Sequence, residues 1–375
     1  MVTMSYLAPA QGGPAGITME ELALAARNHG MPLEALRYDV TPVGLHYLLI
    51  HFDIPEADER TWRLELGGQV ATPRTLTMEE LRRRPQVTVP VTMECAGNGR
   101  ARLDPRPISQ PWLEEAVGTA EWTGTPLRPL LEEAGIGPGA VEVLFAGADR
   151  GVQGGLEQDY ERSLPLAEAM REEVLLAWGV NGRPLPPQHG YPLRLVVPGW
   201  YGMTSVKWLR RITVLTEPFT GYQQAGSYLI HTSEDDPGTP VTRIQPRSLL
   251  VPPGIPSFET RERFCAPGRH LLTGRAWSGL APVASVEVST DGGRSWRPAR
   301  LDHQPSPWAW AGWSFEWDAT PGSYELCSRA TDAAGNTQPT EPPWNTGGYA
   351  NNAVQRVPVT VRPATDPGPG RGHGG

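Results

Sequence analysis

An α+β fold in two parts is predicted, a mixed first domain followed by an Ig-like antiparallel β-sandwich. Three observations predict it. The 375 residues exceed the size at which one core usually stops growing. Up to about residue 230, helix-capping signals and short strand-like pieces are interspersed without a regular β-α alternation. Beyond "HTSEDDPGTP" (231–240) the texture becomes short alternating segments separated by Gly, Pro and Asp turns. The expected organisation is residues 1–230, residues 238–363, and a tail over 364–375, "TDPGPGRGHGG" and its preceding residue, with too little apolar surface to order.

Each element has a local cause. In "GITMEELALAARNHGMP", Thr18 and Glu21 form a capping box and Gly30 and Pro32 stop the helix. The same grammar places Thr77 and Glu80 at the head of "TLTMEELRRRP", whose arginines suit a solvated helix end, and Gly135 and Gly137 after "TPLRPLLEEA". "TWRLELGG", "VEVLFAG" and "PLRLVVPG" read as strands. In the second part, Asp291-Gly292 is a hairpin signal, and the partial alternation of Trp308, Trp310, Trp313, Phe315 and Trp317 reads as sandwich core and interface rather than as a carbohydrate or quaternary-amine site.

Composition narrows the function classes. Acidic residues outnumber Lys and Arg by 41 to 33, which argues against general attraction to nucleic acid. No apolar run reaches the ~18 residues of a membrane span, and no secretory leader pattern opens the chain. Three cysteines, Cys95, Cys265 and Cys327, are too few for a disulfide framework, so a cytoplasmic location is expected.

Cys95 stands in "PVTMECAGNGRARLDPR", after a strand-like run and before a loop of small and basic residues. By residue type alone it is either an inert buried thiol or a nucleophile or soft-metal ligand whose thiolate Arg100 and Arg102 favour. "ECAGNGR" resembles the cysteine motif of the sulfite oxidase family of molybdenum enzymes, and the order of motifs downstream fits over most of the chain. That resemblance implies that Cys95 is the protein ligand of molybdenum held by a single molybdopterin. It implies further that His51 in "HYLLIHFDIP", Asp149 in "GAD", His189 and Arg194 in "HGYPLR", and Ser205, Val206 and Lys207 in "GMTSVKWL" bind the cofactor. Arg100 is implied as the anion-orienting residue. Tyr228 in "EPFTGYQQAGSYLI" is implied as the active-site tyrosine, with Tyr222 as a competitor. "VEVSTDGGRSW" and "PPWNTGGYANNAVQRVPV" resemble parts of the family's dimerisation domain, which implies a homodimer.

The pattern also departs from the family. Leu49 occupies a position where an arginine is expected, and Thr346-Gly347 replaces another, so a doubly charged oxyanion finds fewer bidentate partners. No segment resembles a cytochrome b5-type haem domain and no CxxCH occurs, so electrons are expected to pass to an external carrier such as a cytochrome. The implied activity is oxygen-atom transfer on a small molecule, sulfite to sulfate. The alternatives are reduction of a sulfoxide, N-oxide or similar neutral oxide, and a non-catalytic binding protein on the same fold. The roles of Cys265 and Cys327 are left open.

Overall fold

The structure is a computed structural model, and it describes residues 16–233 and 235–363. The tail expected at 364–375 lies outside the described residues.

The capping signals produce the helices they predict. Thr18 and Glu21 form a reciprocal box at the head of Met19–Arg27, and Thr77 and Glu80 do the same for Met78–Arg82. Gly135, at φ 71°, ends Leu127–Ala134 in the left-handed conformation that favours glycine. At the end of Met78–Arg82, Arg82 pairs with Glu59, Arg83 with Glu79 and Arg84 with Glu133; Arg83 is solvated as expected, whereas Arg84 is largely covered.

Two sheets build the first domain. One runs Arg74–Thr77, Arg63–Gly68, Leu209–Leu215, Glu142–Gln153, Leu156–Pro165. Arg63–Gly68 lies parallel to Leu209–Leu215 and the remaining pairs are antiparallel. The other runs Val87–Glu94, Val117–Pro126, Leu175–Val180, Arg183–Pro184, with Arg194–Val196 also on Leu175–Val180. Leu127, Leu130, Leu131 and Ala134 of the helix pack with Leu64, Phe145, Trp208 and Ile212 into one apolar cluster. Few helices and mixed sheets make this an α+β domain.

The second part is a β-rich sandwich. A four-stranded sheet is centred on Gly268–Trp277 and Ala311–Ala319, and a six-stranded sheet on Val357–Val361, Gly322–Asp332 and Val283–Ser289. Trp313, Phe315 and Trp317 alternate inward along one strand and fill the core between the sheets. Trp310 instead joins Met31, Leu36, Tyr201 and Tyr228 in a cluster shared by both domains. The Asp291-Gly292 signal yields a longer connection than a two-residue turn. Asp291 accepts hydrogen bonds from the backbone N–H groups of Arg294 and Ser295, which organises the loop between Val283–Ser289 and Arg297–Pro298. Cys265 and Cys327 are free and buried within strands.

Leu229–Ile230 pairs antiparallel with Thr239–Pro240, and the chain then returns to the first domain, where Val241 N donates to Tyr228 O and Ile244 N to Gly199 O. The closest tie is polar. Glu94, 1% exposed, receives hydrogen bonds from Arg247 at 2.9 Å and Trp277 at 2.8 Å, both in the sandwich, and from Asn98 at 2.9 Å. Arg247 also donates to Asn351 O, and Asn351 donates to Gly99 O. The loop carrying Cys95 is therefore held from both domains.

Candidate active site

A pocket lies where these elements converge. Its wall comprises residues 46–49 and His51 from one loop, Met93 and Cys95 at the end of Val87–Glu94, and Asp149 and Tyr160 from a hairpin. His189, Arg194, the segment around Ser205, Lys207 and Tyr228 close it.

A β-bulge aims two of these residues. Ala146 pairs with Glu161 and Arg150 with Asp159, so Gly147, Ala148 and Asp149 together oppose the single Tyr160. The inserted residues kink the strand and turn Asp149 inward. Gly190 permits the next convergence: at φ 103°, a Cβ there would sit 3.1 Å from the Cβ atoms of both Arg194 and Lys207. Tyr228 has φ 56°, an unfavourable conformation for a residue with a side chain, held because the ring is packed into the pocket wall.

Arg194 is buried and Lys207 half-buried, each held by backbone carbonyls. Arg194 donates to His189 O at 3.0 Å and Ser205 O at 3.1 Å, and its guanidinium lies 4.6 Å from the Trp122 ring centroid. Lys207 Nζ donates to Leu49 O at 2.8 Å and Gln188 O at 3.1 Å. Among the described residues neither forms an ion pair. Burial, reinforced by neighbouring Arg194, pushes the Lys207 ammonium well below its usual range, and burial pushes the Asp149 carboxyl up. Asp149 Oδ1 and His46 Nε2 are buried without a hydrogen-bond partner. Cys95 is a free, buried thiol; burial raises its pKa while Arg100 opposes that shift.

This donor set suits a large anionic cofactor with a soft metal. One thiol offers soft ligation, two cations await a phosphate, and unpaired ring-edge and carboxyl groups await hydrogen bonds. Serine contributes less directly, since Ser205 Oγ already accepts from Val197 N at 3.1 Å.

The structure brings together His51, Cys95, Asp149, His189, Arg194, Ser205, Lys207 and Tyr228. It does not bring Val206 or Arg100 to the wall. Val206 packs in the core of the first domain, its N–H donating to Thr204 O and its carbonyl accepting from Leu195 N. Arg100 is turned to backbone carbonyls, donating to Gly347 O at 3.0 Å and Gln110 O at 3.1 Å. Gly97 makes room for it, because a Cβ there would lie 2.5 Å from Arg100 Nη1. Tyr222 lies against Gly154, outside the wall that Tyr228 lines.

Sequence reasoning missed His46, Tyr47 and Tyr160. His46 had a signal, since "GLHYLLIHF" carries two histidines around one apolar run. Tyr160 had none, because only the non-local bulge pairing places it. The rings of His46 and His189 meet edge to face at 5.7 Å. Burial pushes His46 down to about 4 and His189 lower still, so both are neutral in the fold. An unfolded histidine binds its proton near pH 6.5. Stability from neutral His46 is therefore complete above that pH and is lost as pH falls towards about 4, at about 1.4 kcal/mol per pH unit for one group. Denaturant titrations of cofactor-free protein between pH 6.5 and 5 will show this slope reduced in His46→Gln.

The fold and this pocket define a molybdopterin-type oxidoreductase. Residues 51–223 match the oxidoreductase molybdopterin binding domain, and residues 261–362 match the Mo-co oxidoreductase dimerisation domain. The chain belongs to the sulfite oxidase family of molybdenum-cofactor oxidoreductases. It is similar to nitrate reductase [NADH] 2 of Phaseolus vulgaris, 32% identical over 89% of this chain and 41% of the relative. It is also similar to nitrate reductase [NAD(P)H] of Hordeum vulgare, 35% identical over 86% of this chain and 39% of the relative. The chain thus spans about two fifths of the length of the curated relatives it matches. Among solved structures, the sulfane dehydrogenase SoxCD of Paracoccus pantotrophus aligns with TM-score 0.78 and 27% identity, covering 97% of this chain and 96% of that one.

Proposed function

We propose that the protein oxidises a sulfur-centred anion, sulfite to sulfate, and passes two electrons to an external carrier such as a cytochrome. The observation that carries this reading is the match to a sulfane dehydrogenase over nearly the whole of both chains. The balance is sulfite plus water to sulfate, two protons and two electrons. The molybdenum-molybdopterin group, when bound, supplies the two-electron oxygen-atom transfer. Cys95 would hold the metal through sulfur. Arg194 and Lys207 would hold the pterin phosphate, with Asp149 and His189 offering ring-edge contacts and His51 set beside them by the hydrogen bond between its Nε2 and Gln153 Oε1 at 2.6 Å. Tyr228 presents a phenol that would orient substrate oxygens, Tyr160 beside it donates its own hydrogen bond to Met203 O at 2.8 Å, and Met93, Met203 and Leu49 exclude water from the wall. The dimerisation domain supports a homodimer as the working form.

Nitrate reduction is the second reading, favoured by 32–35% identity to plant nitrate reductases. The two are separated by comparing sulfite-dependent reduction of ferricyanide with nitrate-dependent oxidation of reduced methyl viologen. The first is expected to dominate, and dominant nitrate turnover would replace it.

Leu49 tests the substrate end. It lines the pocket and its carbonyl already receives Lys207, so an arginine side chain added there enters beside an anchored cation. One charge-assisted hydrogen bond contributes about 1.5–3 kcal/mol. Leu49→Arg should therefore raise kcat/KM for sulfite by roughly tenfold or more and leave a neutral oxide unimproved. Steady-state kinetics at fixed low salt check it.

A further inference from the structure

Arg162 is a buried cation for which neither fold nor cofactor pocket accounts. It lies on the strand Leu156–Pro165, two residues beyond Tyr160, and so shares that residue's face. Its side chain is 2% exposed, and its Nε has no partner. Nη1 donates to the carbonyl of Gln223, and among the described residues it forms no ion pair. A charge buried in this way is costly and is usually paired.

Its surroundings are aromatic. The guanidinium carbon lies 5.3 Å from the Tyr228 ring centroid. Tyr228 in turn packs on Tyr349 at 5.2 Å, and the Arg100 guanidinium lies 5.2 Å from the far ring. Two buried arginines thus bracket two phenol rings in the order Arg162, Tyr228, Tyr349, Arg100. Only Tyr228 of the four reaches the pocket wall. Each cation is attracted to the ring face it covers, and Tyr228 is the member of the stack that carries a phenol to the pocket wall.

We propose that Arg162 is the positioning residue that makes the substrate end of the pocket select an oxyanion, acting through Tyr228 rather than by direct contact. This rests on the reading of the substrate as an anion. Arg162 supplies a cation to a pocket whose position 49 is leucine and whose Arg100 commits Nε and Nη1 to the carbonyls of Gly347 and Gln110. An anion beside the Tyr228 hydroxyl receives a hydrogen bond from a phenol polarised by a cation behind it, and the buried charge gains its missing counterpart.

The test uses the cofactor-loaded protein and sulfate, an unreactive dianion, with sodium chloride at matched ionic strength as control. Sulfate should raise the melting temperature of the wild type. Arg162→Met should abolish that rise and, without sulfate, melt no lower than the wild type, since an apolar chain of similar volume replaces an unpaired charge. Arg162→Lys should retain part of the rise. In turnover, Arg162→Met should raise KM for the anionic substrate roughly tenfold while changing kcat less. A sulfate shift absent from the wild type, or equal in wild type and Arg162→Met, overturns the proposal. So does an Arg162→Met protein that melts well below the wild type or fails to fold, which would make Arg162 structural. Because the sulfate shift needs no turnover, an Arg162-dependent shift in a protein that does not oxidise sulfite removes the proposed activity and leaves this inference standing.

Discussion

Replacing Cys95 with serine is expected to abolish turnover while leaving the fold in place. The side chain is buried, of nearly unchanged size, and makes no disulfide, so little packing is lost. The chemistry is lost instead. A serine hydroxyl is a harder and far less readily ionised donor than a thiol, and burial, which already holds the Cys95 thiol protonated without a metal, would hold an alcohol more firmly so. Circular dichroism and denaturant midpoints should match the wild type, with loss of essentially all turnover in the same preparations. Full activity in Cys95→Ser would make the thiol a packing residue.

The second large effect concerns the partner in front of it. Glu94 and Arg247 are each 2% exposed at the side chain and paired at 2.9 Å across the two domains. A water-free pair of this kind gives little net stability over an apolar pair, but removing one member strands the other. Glu94→Gln leaves the Arg247 guanidinium without its anion, and Arg247 Nε is already unpartnered. The expected cost is about 3–5 kcal/mol in denaturant unfolding, of which Glu94→Leu with Arg247→Met should recover only part, because Trp277 Nε1 and Asn98 Nδ2 lose their acceptor. The loop after Glu94 carries Cys95, so the single variant should also lower molybdenum content. A loss below about 1 kcal/mol would show the pair behaving as an exposed one.

How much of this was legible in the sequence follows from the range of the signals. Capping boxes at Thr18 and Thr77 act over three residues, and both formed. Strand alternation separated the sandwich and sent Trp313, Phe315 and Trp317 into its core. Site residues carried by compact motifs, such as His189 and Arg194, came to one pocket. What was not legible depends on distant pairing. Tyr160 enters through a bulge opposite Gly147–Asp149, and Arg162 is placed by rings from residues 228 and 349. Arg100, which the resemblance implied as the anion-orienting residue, gives Nε to Gly347 O and Nη1 to Gln110 O, contacts that only distant segments supply. A motif names a segment, while the fold decides which of its residues face the pocket: Ser205 and Lys207 do, and Val206 between them packs in the first-domain core.

The central claim is that this pocket holds molybdenum through Cys95, and X-ray absorption at the molybdenum edge tests it most directly. Purified wild-type protein should contain molybdenum at close to one atom per chain, and its spectrum should show one more sulfur neighbour than that of Cys95→Ser. Protein without molybdenum, or equal numbers of sulfur neighbours in the two, would contradict the account.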